Sequence, residues 1–380
     1  MKKSIFNILA SIVIALVMVI LSMPICFAAD YSGTGEGDFT WEFDSATGTM
    51  TISGTGDMEG SFYRHWKVKD NTQSNSKIDL SPMIKKIIIS EGITSIGDSA
   101  LVGLTEMTSV DIPNTVTKIK RLAFADAWKL ESITIPDGVT TLGYYCFERC
   151  KALKTVIIPD SVTEIGCDAF RGCIALETVV ISNNVEEIPE DCFLGCKSLV
   201  NVQLGSNVKI VENRAFKECS SLKQVILPES VERIESDEAF GYCDTLEKVY
   251  IPGGIKHVSY NTFCSNDSDV KSSLTDIYFG GSKEAWDALN QNSNIKILNA
   301  TVHYNSKPSD MNDLLENLSS NNEINDTNDV GNESNSSANN SKGEVSDKSG
   351  TGPVIGAVAG VVAFGAGAAY IFIKKKNKIK

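Results

Sequence analysis

The chain has 380 residues, 42% of them hydrophobic and 22% charged, an ordinary balance for a protein with a folded core. Its formal charge of −13 argues against nucleic acid as a partner, since that calls for Lys and Arg clustered on a basic face. Ten cysteines would normally suggest disulfides in an exported chain, so their spacing has to decide how they are used.

Residues 1–28 read as a secretory signal: Lys2 and Lys3, the apolar stretch Ile8–Leu21, and Cys26-Phe27-Ala28 as a small-residue cleavage site. An uncleaved anchor is the alternative. Residues 30–83 then predict a β-hairpin cap. FTWEF (39–43) and TMTIS (49–53) alternate around DSATG as a hairpin does, and Phe62, Tyr63 and Trp66 follow as covering aromatics.

From residue 84 a hydrophobic residue recurs every 23 positions: Ile84, Met107, Leu130, Leu153, Leu176, Leu199 and Leu222. The step widens to 24 at Leu246 and 28 at Leu274. A period of this size means a solenoid, in which one coil cannot bury its apolar face alone. In Leu153–Ala175, Val156 and Ile158 alternate as in a strand with one buried face, and Pro159 ends it. Val162 and Ile165 mark a second short strand. The Ala169-Phe170-x-x-Cys173 segment predicts one helical or 3₁₀ turn on the opposite face. Phe124, Phe147, Phe170, Phe193, Phe216, Phe240 and Phe263 are expected to stack as a buried column, and an in-register parallel sheet of roughly nine strands is expected on the first face.

These motifs resemble the bacterial surface-antigen (BspA-type) leucine-rich repeat family. Ile135-Pro136, Val139, Leu142-Gly143, Phe147 and Cys150 fit its unit, as do Ile158-Pro159, Val162, Ile165-Gly166, Ala169-Phe170 and Cys173. The resemblance implies a leucine-rich-repeat solenoid over 84–273 that recognises or adheres to partners outside the cell. Ser182 and Gly205 replace the proline in two coils, which should soften those turns.

Cys150, Cys173, Cys196 and Cys219 share the 23-residue spacing, with Cys243 one later, so they fall in one interior column. Ala127 fills the same slot earlier. A buried thiol ladder is the expected state. Neighbouring coils would also bring these sulfurs within roughly 5 Å, where pairing is geometrically open. The C-x₃-C pairs Cys146/Cys150 and Cys192/Cys196 arise from two repeat positions, so no metal is expected of them.

Residues 274–305 predict a strand–helix–strand cap: IYFGG (277–281), a helix opened by Ser282 with Trp286 and Leu289 on one face, and ILNATVHY (297–304). Residues 306–352 read as a disordered stalk, since 19 of the 43 residues from Pro308 to Gly350 are Asn or Ser, too few apolar groups to form a core. Residues 353–373 predict a single transmembrane helix, long enough for a bilayer core of roughly 30 Å. The basic tail 374–380 would then lie in the cytoplasm and the solenoid at the cell surface. Gly356-x-x-x-Gly360 could pair two such helices, but oligomeric state is left open.

No catalytic pattern is present. His65, His257 and His303 fall in separate regions, and no nucleophile elbow, P-loop, zinc-protease or dinucleotide-binding motif occurs. Asn266–Asp269 carries calcium-type ligands without the full loop. No enzyme and no cofactor are therefore expected. What is left is a surface. The fifth strand position reads Ile88, Asp111, Thr134, Ile157, Val180, Gln203, Ile226, Tyr250 and Tyr278. Ile157, Val180, Ile226, Tyr250 and Tyr278 are the candidate column for an extracellular protein or glycan partner. Strand propensity alone is the competing explanation. At the second position, Glu131, Lys154, Glu177, Lys223 and Glu247 should alternate in sign along the stack. A structural envelope protein without a specific ligand is the alternative function. A signalling receptor is disfavoured by the short tail.

Overall fold

The computed structural model describes residues 31–311 apart from 36–37, 59–66, 70–76, 236–237, 265–272, 294 and 296–298, together with strands 358–363 and 369–374. The signal segment, His65, the aromatics Phe62, Tyr63 and Trp66, the Asn266–Asp269 loop and most of the expected stalk lie outside the described residues. The chain forms two compact units, Met1–Ser306 and Lys307–Lys380.

The first unit opens with the hairpin the alternation predicts. Thr40–Asp44 pairs antiparallel with Thr49–Ser53, burying Trp41, Phe43, Met50 and Ile52 on one face. A further strand, Tyr31–Thr34, pairs on its outer side. Gly48 makes the turn at φ +71°, a conformation that costs an L side chain strain. Thr49–Ser53 then pairs in parallel with Lys86–Ile89, so the hairpin covers the open end of the first coil.

Each coil carries two short strands. On the first side Val156, Val179 and Val202 lie in one line, as do Val225, Val249, Ile277 and Val302. On the second side the rungs place Ile96, Ile119, Leu142 and Ile165 in line, and Ile188, Val211, Ile234 and Val258 in another. All eight of these second-side residues are buried. Between the strands the expected phenylalanine column is present from Phe124 to Phe263. Its successive centroids stand 5.2–5.8 Å apart with ring planes within 16° of parallel.

Three expectations need correction. The first-side sheet is not continuous but splits into three: Tyr31–Asp111, Thr155–Gln203 and Gln224–His303. The coil at Leu130 contributes only an isolated bridge, Ser132 to Thr155. Rungs of two or three residues carry few hydrogen bonds, and exposed peptide groups can bond water instead, so interruption is cheap.

The opposite face is not helical either. Tyr145, Asp168, Asp191 and Arg214, just before the Ala/Cys-Phe pair, have φ of 55–60°. Asp126, Arg149, Gly172, Gly195 and Glu218, two residues after Phe, are also left-handed. These reversals stop any helix and aim alternate N–H groups at the next coil: Tyr145 N to Cys167 O at 3.1 Å, Phe147 N to Ala169 O at 2.8 Å, Arg149 N to Arg171 O at 2.7 Å. That face is a third hydrogen-bonded ladder.

The cap at 274–305 forms largely as expected. Strand Asp276–Phe279 is followed by helix Lys283–Ser293, and Thr301–His303 pairs in parallel with the first strand. Ser282 Oγ accepts from Ala285 N at 3.3 Å as the helix cap, and Trp286 and Leu289 are buried.

The second unit supplies the third correction. Its described part begins with a 3₁₀ turn, Pro308–Met311, where a stalk was expected, and Met311 is buried. In place of the transmembrane helix over 353–373, Val358–Ala363 and Ala369–Lys374 pair antiparallel. Among the described residues no helix is long and apolar enough to cross a membrane. Val361, Val362, Tyr370, Ile371, Phe372 and Ile373 are branched or aromatic and suit a strand, and Gly360 is a poor helix former.

Candidate functional site

The first strand face does not present its candidate column uniformly. Ile157 is 38% exposed, while Val180 and Ile226 are half-buried. Ile157 and Val180 occupy facing rungs of one short sheet and form a small apolar step on its surface. Tyr250 differs: it is 2% exposed, and its hydroxyl donates to Glu229 Oε1 at 2.5 Å. A buried tyrosine hydroxyl needs such a partner. Tyr250 is therefore a packing residue, and its place in an exposed column is corrected. Tyr278 stacks on the His303 ring at 4.7 Å, and His303 Nε2 lies 2.7 Å from Asp276 Oδ1. That contact holds the Asp276 carboxyl below the usual carboxylate range, with Thr275 adding a second hydrogen bond.

Opposite charges also alternate on the second side. Lys209 pairs with Glu186 at 2.7 Å and Lys256 with Glu232 at 2.6 Å, each one coil apart. The same column reads threonine in the earlier coils. Thr117 and Thr140 hydroxyls donate one coil back to the carbonyls of Thr94 and Thr117 at 3.1 and 3.2 Å. The switch from threonine to glutamate comes at Glu186.

The second-side sheet also breaks there. Gly143 N donates to Ile119 O and Gly166 N to Leu142 O, both at 2.7 Å; Glu212 N donates to Ile188 O at 2.9 Å. Pro189 holds the corresponding position and has no N–H to give. Among the described residues no backbone bond joins 186–189 to 163–165, and the strands Glu164–Ile165 and Glu187–Ile188 belong to different sheets. Gly166 shows how close a coil comes when the rung is intact: a Cβ there would stand 2.4 Å from Tyr144 N. At the break a cleft of about 530 Å³ opens, lined by Tyr144, Thr163, Glu164, Asn184, Glu186 and Glu187 among others. Sequence reasoning missed this place. Its signal was present in Ile188-Pro189, which stands where two preceding coils have Leu142-Gly143 and Ile165-Gly166.

The cysteines are interior groups. Cys146, Cys150, Cys167, Cys173, Cys192, Cys196, Cys219 and Cys243 are free thiols, all buried except Cys167, which is half-buried. Cys150, Cys173, Cys196, Cys219 and Cys243 each donate Sγ–H to the carbonyl of the phenylalanine in the preceding coil, at 3.2–3.4 Å. Burial pushes the Cys173 thiol up to about 12 and Cys146, Cys150, Cys192 and Cys196 well above the ordinary value. Such thiols stay protonated at neutral pH and are poor nucleophiles there. Among the described residues no group of three or more His, Cys, Asp or Glu is placed to hold a metal. His257 lies in a second-side strand, far in sequence from His303 and without a shared site.

Two strand ladders, a stacked aromatic interior and capped ends define a leucine-rich-repeat scaffold. Residues 79–199 and 140–269 match the BspA type leucine rich repeat region, in six copies. The match spans half of the chain, and the chain belongs to that family. Among solved structures it is similar to a leucine-rich repeat protein of T. pallidum, at 22% identity over 50% of this chain and 90% of that one, TM-score 0.37. It is also similar to leucine-rich repeat proteins of Eubacterium ventriosum (21%, covering 66% and 79%, TM-score 0.36) and Bacteroides ovatus (19%, covering 70% and 98%, TM-score 0.33). No curated protein matches the chain.

Proposed function

We propose that this chain is a cell-surface recognition scaffold that holds an extracellular protein or glycan partner on its first strand face and adheres without turning the partner over. The carrying observation is the step formed by Ile157 and Val180: two apolar side chains on facing rungs of one sheet, one of them 38% exposed. An exposed apolar side chain beside a half-buried one suits a partner surface. The signal-like residues 1–28 and the family's surface-antigen type support display outside the cell. The test is a binding screen of the purified full chain against extracellular proteins, glycans and whole cells. Attachment that falls in the Ile157→Thr/Val180→Thr double variant supports the reading; attachment unchanged by it returns the face to strand propensity.

The structural envelope reading is favoured by the other end of that face. Tyr250 and Tyr278 are committed to Glu229 and His303 and present little free surface. Under that reading the screen finds no saturable partner.

A further inference from the structure

The cleft at the Pro189 break lies on the second strand side and is independent of the proposed first-face partner. We propose that it binds the guanidinium of an arginine carried on a basic peptide segment. Three carboxylates line it, Glu164, Glu186 and Glu187, and no Lys, Arg or His does. Lys209 neutralises Glu186 at 2.7 Å, while among the described ion pairs none involves Glu164 or Glu187. The lining is therefore net negative and selects a cation.

Tyr144, also in the lining, is 52% exposed, the most exposed large hydrophobic residue described. A tyrosine face attracts a cation placed over it. The fold already makes this contact elsewhere, where Lys151 Nζ sits 4.0 Å over the Trp128 ring. The missing rung adds acceptors, because the Thr163 and Ile165 carbonyls receive no backbone bond from the next coil. Guanidinium suits this set better than ammonium. It is planar, stacks on an aromatic face, and offers five donors in a fork that matches carboxylates. The cleft persists because proline cannot close the rung, and because the links on either side hold the coils at fixed spacing: Asn183 N to Asp160 Oδ1 at 2.9 Å and Asp168 N to Glu190 O at 3.0 Å.

The experiment uses the full chain in detergent and a short fluorescent peptide with two arginines, read by anisotropy beside matched lysine and citrulline peptides. The arginine peptide should bind about tenfold tighter than the citrulline peptide and weaken with salt, as exposed charge pairs do. Glu164→Gln/Glu187→Gln should lose about tenfold, and Tyr144→Ala about 2–5-fold, the size of an exposed cation–π contact. Pro189→Gly copies the two preceding coils, restores the N–H and should abolish binding by closing the cleft. Cys167 also lines the cleft, and its labelling, mapped by mass, should slow when the peptide is bound. Equal binding of the citrulline peptide, binding untouched by the Glu double variant, or Cys167 labelling unchanged in the bound state would each overturn the assignment. So would saturable binding of a neutral oligosaccharide at this cleft with none of the arginine peptide.

Discussion

The interior of the solenoid and its strand sides respond differently to the same repeat. The phenylalanine column keeps its 5.2–5.8 Å step from Phe124 to Phe263 and passes the second-side break between Phe170 and Phe193 at 5.4 Å. The strand ladders are interrupted on both sides. Across the second-side break, register is held by the ring column together with the third ladder, where Asp168 N, Phe170 N and Gly172 N donate to Glu190 O, Cys192 O and Leu194 O at 3.0, 2.9 and 2.8 Å. A lost rung at the surface forfeits about 0.5–1.5 kcal/mol, since water takes the partner's place. A lost buried ring forfeits about 3–5 kcal/mol. Interiors are constrained accordingly, and strand edges are free to open into features such as the Pro189 cleft.

The largest effect should come from the column. Phe170→Ala should lower stability by about 3–5 kcal/mol, measured by denaturant unfolding, because flanking rings on both sides lose their neighbour. Hydrogen exchange should speed most in the adjoining coils, around 147 and 193, and least in the 276–279 strand. A loss under ~1 kcal/mol would leave the third ladder, not the rings, as the main tie between coils. Cys173→Ala should cost about 1 kcal/mol, since it removes one sulfur and one weak hydrogen bond to Phe147 O. With its thiol pushed up to about 12, native Cys173 should label slowly and denatured Cys173 quickly. Cys167, half-buried, should be the first of the described cysteines to react. Fast native labelling of Cys173 would contradict its burial.

The interior was legible in the sequence because burial leaves a periodic trace. A position that must be apolar in every coil repeats as Leu, Phe or Cys, and the period alone placed those columns. The hairpin and the helix after Ser282 were legible for the same reason. The turns flanking Phe were not, because their left-handed positions are filled by Tyr145, Arg149, Asp168 and Asp191 and not by one repeated residue type. Where glycine is absent, a left-handed position carries little compositional signal. Tyr250 was misplaced because position in a strand gives direction but not what lies over the side chain. In the segment 353–373 the described residues form two strands where a helix was expected, because apolar length does not separate helix from strand. The Pro189 cleft required comparing one coil with its neighbours, residue against residue.

The first strand face supplies a smaller effect. Ile157→Thr and Val180→Thr keep the branched side chain that strands favour while removing apolar surface. Each should change stability by no more than about 0.5 kcal/mol, as expected for surface positions. Paired with the attachment assay, near-wild-type unfolding isolates recognition from folding. A destabilisation of several kcal/mol would instead make these residues part of the packed interior.

The smallest effect sharpens the contrast on the second side, where acidic groups crowd past the break. Glu212 is held above the usual carboxylate range, first by burial and then by Glu187 and Glu235. A raised carboxylate binds its proton more tightly in the folded state than in the unfolded one. The associated stability is full below the ordinary value of 4.5 and is lost as pH rises through the folded value. At neutral pH the charged side chain therefore works against folding, and Glu212→Gln should raise the melting temperature there. Below pH ~4 both side chains are neutral, and the difference should vanish. Added salt should also shrink the gain at neutral pH by screening the repulsion from Glu187 and Glu235, leaving the part owed to burial. A gain that persists at low pH would trace the effect to packing rather than charge.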